Sequence, residues 1–342
     1  MALLKSKKNT TITGKSLNKL GTKPVNIKPK TTKKIINRYH FLIKCRAYIF
    51  QLLNLKFTKT DDEEINNFVK TYLKENMRNV NLEVKSEEEL LNLRKNYQKN
   101  KKISSNDIDR LNLLLNFITE EIVDNGGLQK YQIASIMGQN SDRGGDSSKK
   151  LMSWILELND SGKSFKDMSA LEIGCLRVDN MISQHKYKKF IKNIERIDLN
   201  SNHPDIKKED FLMKTLPESN EQKYDLISCS LVVNFVPDEN KRGEMMIRLK
   251  KFCKNQGLVF LVLPLPCVTN SRFTDDELLV TKIMEQGLNF KLIKEHKSNK
   301  IVYYLFQNNN SVYNEKYLKK NHGSKRIIKN KPGMNNFCIT FG

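Results

Sequence analysis

Two short apolar runs near the middle of the chain end in residue types that commonly hold a nucleotide-like ligand. The first, L-E-I-G at residues 171–174, passes through an acid and ends at a glycine. The second, I-D-L at residues 197–199, carries an aspartate 24 residues after that glycine. A glycine at the end of a parallel strand lets the backbone approach a ligand, and an acid at the next strand end accepts hydrogen bonds from ribose hydroxyls. The spacing therefore predicts a nucleoside-binding site formed by Gly174 and Asp198.

The loop after Gly174 discriminates between cofactors. A dinucleotide-binding loop has further glycines and a helix N-terminus for the pyrophosphate, whereas the residues after Gly174 are C-L-R. S-adenosylmethionine (SAM) carries no phosphate, so one glycine and one carboxylate can suffice. We therefore expect SAM as the cofactor, with Glu172 meeting its methionine amino group directly or through water. Asp198 would accept charge-assisted hydrogen bonds from both ribose hydroxyls.

A third strand end adds two candidate cofactor residues. Asp210 could accept a hydrogen bond from the adenine amino group, and Phe211 could lie against the adenine ring. Three of the five cofactor candidates also have a purely structural interpretation: Gly174 as a strand-to-loop glycine, Glu172 as a cap and Asp198 as an exposed strand-end acid.

Two further segments leave the carboxyl ends of central strands, which is the edge where ligands bind in such sheets. They are S-C-S-L-V-V-N-F-V-P at 228–237 and P-L-P-C-V-T-N-S-R-F at 264–273. Their asparagines, Asn234 or Asn270, could hydrogen-bond the edge of a nucleic-acid base. For each of these residues alone, packing or loop structure is the favoured interpretation.

The same two segments offer an aromatic platform and a cation. Phe235 or Phe273 could stack on a base, and Arg272 could hold a phosphate. Cys229 and Cys267 flank the region, but no basic neighbour that would activate a thiol is evident. The sequence therefore does not favour a cysteine nucleophile.

Strands and helices alternate in the second part of the chain, which predicts an α/β domain. Seven short strands are expected: 170–173, 194–198, one that ends at 210–211, 224–229, 258–263, 290–295 and 301–306. Helices are expected over 148–156, 241–252 and 275–286. The run L-V-F-L-V-L at 258–263 is apolar enough to be covered on both faces. The last two strands are expected to form a hairpin, with the final strand antiparallel to the rest of the sheet.

The first part of the chain has a different pattern. Apolar residues recur at helical spacing from Ile35 and over 61–78, 86–99 and 106–123. We therefore divide the chain into a disordered basic tail at 1–33, a helical module at 34–127, an α/β domain at 128–310 and a basic C-terminal tail at 311–342.

The formal net charge of +22 is concentrated at the two ends. Residues 1–60 contain 15 Lys and Arg and no acid, and residues 291–342 contain 11 Lys and Arg against 2 acids. The 34 basic and 36 acidic residues between them nearly cancel. Basic ends on a neutral body suit a polyanionic partner, since counterion release then drives association. A solubilising or targeting tail is the alternative interpretation.

Other function classes find no support. The sequence contains no run of eighteen apolar residues, so no membrane-spanning helix is expected. Lysines begin at the fifth residue, so the start of the chain lacks the apolar core of a secretory signal. The 6 cysteines are scattered without a C-x-x-C pair, and the 5 histidines do not cluster with them. This usage predicts a reducing compartment and no metal site.

Several sequence blocks resemble the fungal large-subunit (25S) rRNA adenine-N1 methyltransferases. The more specific blocks are R-G-G-D-S-S at 143–148 and L-P-L-P-C-V-T-N-S-R at 263–272; the others lie at 131–135, 138–139, 171–176, 197–201, 230–238 and 242–245. The resemblance covers residues 128–310 closely and the helical module loosely. Related animal proteins that sense SAM share these blocks.

The resemblance implies a Rossmann-like class I SAM-dependent methyltransferase sheet, in which Gly174 and Asp198 contact the cofactor. It also implies that the partner is large-subunit rRNA in the pre-ribosome and that the protein acts in the nucleolus of the nucleus. A SAM-binding regulator without transferase activity remains the main alternative, and a methyltransferase for small molecules or proteins is a third. The basic ends argue against the regulator.

Overall fold

A computed structural model of the chain describes residues 29–56, 62–77, 86–96, 104–124, 126–127, 146–201 and 203–342. Most of the predicted N-terminal tail, residues 1–28, lies outside this part, as do residues 128–145, which include the first three residues of the R-G-G-D-S-S block. The predicted boundary at residue 34 is too late, because the first helix already begins at Pro29. Proline suits a first helical turn, where its missing N–H has no intrahelical partner to lose.

The helical module contains four helices within the described residues. They are α1 (Pro29–Leu52), α2 (Asp62–Asn76), α3 (Ser86–Asn96) and α4 (Ser105–Asp124). Their apolar faces meet in one buried cluster, whose members include Ile49 on α1 and Leu115 on α4. The module is therefore a small helical core of its own, as the helical spacing of its apolar residues predicts.

The α/β domain is built on a seven-stranded sheet. The strands are β1 (Met168–Ile173), β2 (Ile191–Asp198), β3 (Lys207–Lys208), β4 (Tyr224–Ser230), β5 (Cys253–Pro264), β6 (Phe290–Lys297) and β7 (Ile301–Asn308), in the order β3-β2-β1-β4-β5-β7-β6. Strands β1 to β5 pair in parallel, whereas β7 is antiparallel to both β5 and β6. This confirms the predicted class I methyltransferase sheet and its closing hairpin. The third strand is shorter than predicted and ends before Asp210 rather than at it.

Helices cover both faces of the sheet. They are α5 (Ser148–Asp160), α6 (Glu239–Phe252), the short α7 (Pro266–Thr269), α8 (Glu277–Gly287), which has π-type turns, and α9 (Glu315–His322). Two 3₁₀ turns, Met181–Ser183 and His185–Tyr187, connect β1 to β2. Successive residues of β5 enter opposite cores, Val259 and Leu261 on one side and Phe260 on the other. The strand is thus covered on both faces, as its apolar run predicts. None of the described helices is long and apolar enough to cross a membrane.

Contrary to the sequence-based division of the chain, the C-terminal segment, residues 311–342, is not a tail separate from the α/β domain. Alternate residues near the end of the chain, Phe337, Ile339 and Phe341, are buried in the same core as α6 and α8. Thr340 donates a backbone hydrogen bond of 3.0 Å to the carbonyl of Glu239, at the start of α6. A Cβ atom on Gly243 of α6 would lie only 1.9 Å from the Thr340 carbonyl oxygen. The C-terminal segment is therefore part of the folded domain.

We predict that Ile339→Ala lowers the free energy of unfolding by about 2–5 kcal/mol, because it removes buried methyl groups and leaves a cavity. Ile339 is 3% exposed. The matched control is Ile327→Ala in the same segment, where the side chain is 64% exposed and the change should stay within about 0.5 kcal/mol. Urea unfolding of both variants is the measurement. Equal effects of the two substitutions would contradict a packed C-terminal segment.

Candidate functional site

The carboxyl ends of β1, β2 and β4 form the edge of the sheet where the predicted site residues lie. The amides of Gly174 and Cys175 both donate to the carbonyl of Ile197 on β2, over 2.9 and 3.1 Å. The first turn after β1 is therefore fixed against the end of the neighbouring strand. Gly174 and Asp198 are brought to the same edge, as the spacing predicts.

Gly174 is required by the fold even before a ligand is considered. Its φ angle is +72°, a region that residues with a side chain rarely adopt. A Cβ atom at this position would lie 2.5 Å from Cγ2 of Val232, which belongs to the segment after β4. The glycine thus lets that segment approach the end of β1.

Glu172 is buried and already holds several groups of the chain. It accepts a hydrogen bond of 2.9 Å from Nδ2 of Asn180 and one of 3.3 Å from Sγ of Cys175. Arg196 Nε lies 3.6 Å from the same carboxylate. Burial raises the pKa of Glu172, and its hydrogen bonds and the charge of Arg196 oppose that rise. The carboxylate therefore organises the loop after β1.

The described part of the R-G-G-D-S-S block ties together three parts of this edge. Asp146 accepts hydrogen bonds from the backbone N–H and the hydroxyl of Ser148 at the start of α5, over 2.9 and 2.6 Å. Its second oxygen accepts from the backbone N–H of Met181, 2.8 Å away. The hydroxyl of Ser147 lies 2.7 Å from that of Ser230 at the end of β4. The sequence marked this block only through the family resemblance; the structure gives it this tethering role.

The two aspartates after β2 and β3 have different surroundings. Asp198 is half-buried, and its Oδ1 accepts from the backbone N–H of Asn200 at 2.9 Å. Asp210 likewise accepts from the backbone N–H of Leu212 at 2.9 Å through Oδ1, but its Oδ2 is buried without a hydrogen-bond partner among the described residues. A buried carboxylate oxygen without a donor is costly. Asp210 Oδ2 therefore fits a ligand that brings a hydrogen-bond donor, such as an amino group.

Phe211 contributes to the core. Its ring centroid lies 5.2 Å from that of Phe252, and the guanidinium carbon of Arg248 lies 5.7 Å from the ring. The side chain is almost completely buried. These contacts account for Phe211 through packing, and only its position next to Asp210 links it to the site.

The segment after β4 holds a second buried acceptor at this edge of the sheet, besides Asp210 Oδ2. Asn234 is 7% exposed, and its Oδ1 has no hydrogen-bond partner among the described residues. The next residue, Phe235, stacks on His40 of α1, with ring centroids 3.9 Å apart and planes 7° apart. The sequence did not indicate His40 as a site residue. It lies within a segment whose apolar residues predict a helix, and nothing in that pattern marks its stacking partner, Phe235, in the α/β domain.

The two polar candidates after β5 hold the C-terminal segment. Asn270 Nδ2 donates to the carbonyl of Gly333 at 3.2 Å. The Arg272 guanidinium donates to the carbonyl of Met334 and to Oδ1 of Asn336. These bonds turn the donors of both side chains toward the protein. The block N-S-R at 270–272 is thereby explained as an anchor for the end of the chain.

Neither thiol in this region is activated. Burial raises the pKa of both Cys229 and Cys267 to about 12, and the nearby charge of Lys44 only partly opposes the rise at Cys267. Both thiols therefore stay protonated near neutral pH, in agreement with the sequence interpretation. Within the described residues, no group of three or more His, Cys, Asp or Glu is arranged to hold a metal ion.

Comparison with known proteins gives results consistent with this geometry. The family model described as 25S rRNA (adenine(2142)-N(1))-methyltransferase, Bmt2, matches residues 116–339. A Saccharomyces cerevisiae protein named 25S rRNA (adenine(2142)-N(1))-methyltransferase is 38% identical over 98% of this chain and 99% of its own length. A Schizosaccharomyces pombe protein named 25S rRNA adenine-N(1) methyltransferase is 36% identical over 64% of this chain and 79% of its own.

Solved structures are more distant. The N-methyltransferase NodS from Bradyrhizobium japonicum, crystallised with S-adenosyl-L-homocysteine, aligns with a TM-score of 0.33 and 15% identity over 47% of this chain and 86% of its own. The 1,6-didemethyltoxoflavin-N1-methyltransferase of Burkholderia thailandensis aligns with a TM-score of 0.37 and 7% identity over 52% of this chain and 87% of its own. The assignment of the fold rests on the strand order. The family model over residues 116–339 and the S. cerevisiae match over 98% of the chain establish that this protein belongs to the Bmt2 family of 25S rRNA adenine-N1 methyltransferases.

Proposed function

We propose that this chain transfers a methyl group from SAM to N1 of an adenine in 25S rRNA, at the position corresponding to adenine 2142. The observation that carries the proposal is the 38% identity to the S. cerevisiae protein over 98% of this chain, which includes both the helical module and the α/β domain. The geometry of the sheet edge agrees with this chemistry.

The cofactor would lie across the ends of β1, β2 and β3. Gly174 would allow the close approach, Asp198 would accept from the ribose hydroxyls, and Asp210 Oδ2 would accept from the adenine amino group. Glu172 would act mainly by holding the loop after β1, since its oxygens already accept from Asn180 and Cys175. Phe211 would set the position of Asp210 from within the core. When bound, SAM supplies an electrophilic methyl group on a sulfonium.

The reaction makes few demands on acid–base chemistry. Adenine N1 has an in-plane lone pair and is neutral near pH 7, so it can attack the methyl group without a general base. The task of the protein is to align nitrogen, methyl carbon and sulfur, and such alignment can be worth several kcal/mol. N1 lies on the Watson–Crick edge, so the target base must be unpaired or flipped out of its stack.

The target adenine would bind against the segment after β4. Asn234 Oδ1 would accept from the exocyclic amino group of the base, which leaves N1 free to react. A guanine would bring a carbonyl oxygen to the same place and leave two acceptors facing each other. Phe235 would stack on the base. Asn270 and Arg272 would shape the same pocket indirectly, by holding the C-terminal segment beside it.

The N-terminal basic tail would add contacts to rRNA phosphates outside this pocket. We further propose that the protein acts on the pre-ribosome in the nucleolus of the nucleus, which is where an enzyme with this substrate would meet unfolded large-subunit rRNA during ribosome biogenesis.

The decisive experiment is to map N1-methyladenosine in 25S rRNA from cells with and without this protein, and to test methyl transfer by the purified protein. We expect one modified adenine to be lost from the deletion strain and restored by the wild-type chain. Unchanged methylation in cells, together with SAM binding by a protein that transfers nothing, would instead indicate a SAM-binding regulator.

We predict that Asp198→Ala weakens SAM binding by roughly 1.5–3 kcal/mol, the range typical of hydrogen bonds to a charged group. Isothermal titration calorimetry measures the affinity, and circular dichroism checks that the fold is intact. Asp205→Ala is the matched control, because this nearby carboxylate is 71% exposed and its ion pair with His203 is long, at 3.7 Å. A loss of affinity that appears only together with unfolding would make Asp198 a structural residue.

We predict that Gly174→Ala lowers SAM affinity at least tenfold, because the new methyl group would displace Val232 and the loop it belongs to. The left-handed backbone alone costs a side chain about 1–2 kcal/mol. Gly162→Ala is the matched control, since Gly162 has a φ of +98° but nothing within 4 Å of the added Cβ. It should lose stability and keep its SAM affinity. Equal loss of affinity in both variants would show that backbone strain, not the contact with Val232, is responsible.

We predict that deletion of residues 1–28 weakens rRNA binding and flattens its dependence on salt while leaving SAM affinity unchanged. The deletion spares α1, which begins at Pro29. For every phosphate that the protein no longer neutralises, the slope of log affinity against log salt should fall by about 0.7–0.9. A full-length variant with the seven lysines of this segment changed to glutamine should behave like the deletion. An unchanged slope would place the RNA-binding surface elsewhere on the protein.

A further inference from the structure

Helix α1 of the N-terminal module lies over the segments that follow β4 and β5. Its His40 stacks on Phe235 after β4, and Gln51 Nε2 donates a hydrogen bond of 2.6 Å to Asp238 Oδ2 at the start of α6. The charge of Lys44 acts to lower the pKa of both His40 and Cys267. Lys44 therefore lies near α7, the short helix after β5 that contains Cys267. Residues 40, 44 and 51 are spaced by four and seven, so they share one face of the helix.

The contact at His40 is more specific than general packing. Two rings whose centroids are 3.9 Å apart with a 7° angle between their planes are in face-to-face contact. His40 is 8% exposed, whereas Phe235 is only half-buried. The imidazole therefore supports one face of the Phe235 ring, and the Phe235 side chain keeps part of its surface exposed.

The electrostatic state of His40 suits this contact. Burial, and after it the charge of Lys44, lowers the pKa of the imidazole to about 3. His40 is therefore a neutral ring near pH 7. A neutral flat ring can stack closely on phenylalanine without the desolvation cost of a buried cation.

Phe235 is adjacent to Asn234, whose buried Oδ1 has no hydrogen-bond partner among the described residues. The two residues thus present a stacking ring and a free acceptor side by side. A base that stacks on Phe235 and donates an amino hydrogen to Asn234 would be held in both its plane and its orientation. The precision of that arrangement depends on how firmly the Phe235 ring is fixed.

We propose that His40 is a positioning residue for methyl transfer: through its stack on Phe235, the N-terminal module completes the site that holds the target base. The module is then part of the catalytic unit as well as a separate helical core. This inference rests on the proposed function, since it concerns the same transfer to an rRNA adenine.

The test compares His40→Ala with His40→Phe in the full-length protein, with methyl transfer to a 25S rRNA fragment and SAM affinity as separate measurements. Loss of the stack should reduce kcat/KM for RNA about tenfold in His40→Ala, while SAM affinity stays within twofold of wild type. His40→Phe keeps a neutral flat ring and should retain kcat/KM within about threefold. The control Ile49→Ala removes a fully buried side chain of the module core. It tests whether a destabilised module alone lowers activity.

A double-mutant cycle with Phe235→Leu tests the route of the effect. If His40 acts through Phe235, His40→Ala should cost little further activity in the Phe235→Leu background. The proposal would be overturned if His40→Ala were as active as wild type, if His40→Phe were as impaired as His40→Ala, or if Ile49→Ala lost as much activity at equal stability. It would equally be overturned if SAM affinity fell in parallel with activity.

The activity of the wild-type protein distinguishes failure of the proposed function from failure of the role of His40. If wild type methylates no rRNA adenine, the proposed function fails, and the role of His40 fails with it. If wild type is active and the His40 variants do not behave as expected, only the role of His40 is refuted.

Discussion

The close approach of the segment after β4 to the end of β1 is the constraint on which the site depends. It is possible only because Gly174 has no side chain: an added Cβ would lie 2.5 Å from Val232. Two residues after Val232 comes Asn234, and Phe235 follows. The same contact therefore brings the candidate base-binding residues next to the strand ends that carry the candidate cofactor residues. The hydrogen bond that Asp146 accepts from the Met181 amide, and the one between the hydroxyls of Ser147 and Ser230, hold the two sides of this edge together.

The sheet was largely predictable from the sequence, because buried parallel strands are short apolar runs and the loops between them carry turn residues. The same physical rule explains what was missed. The last buried residues form a run of only five positions, F-C-I-T-F at 337–341, which is too short to distinguish a packed segment from a tail. Their burial depends on distant partners such as Gly243 and Arg242, whose guanidinium donates to the carbonyl of Cys338 over 2.7 Å.

The site was predictable in part. The spacing of the first glycine and acid located the strand ends correctly, because that distance reflects the length of one strand–connection–strand unit. The roles of Asn270 and Arg272 could not be read in the same way. A polar side chain after a central strand has the same sequence signature whether it faces a ligand or another part of the chain, and here both bind the C-terminal segment. His40 gave no signal because a stacking partner on another domain leaves no trace in helical spacing.

Two buried oxygens, Asp210 Oδ2 and Asn234 Oδ1, have no donor in the part of the chain that the structure describes, and both belong to segments that leave the same edge of the sheet. Each such acceptor costs about 1–3 kcal/mol when it is left unpaired. Methyl transfer from SAM to adenine would bring two adenine rings to this edge, one in the cofactor and one in the substrate, and each has an exocyclic amino group that can donate. One acceptor beside the cofactor strands and one beside the aromatic platform match that pair of donors.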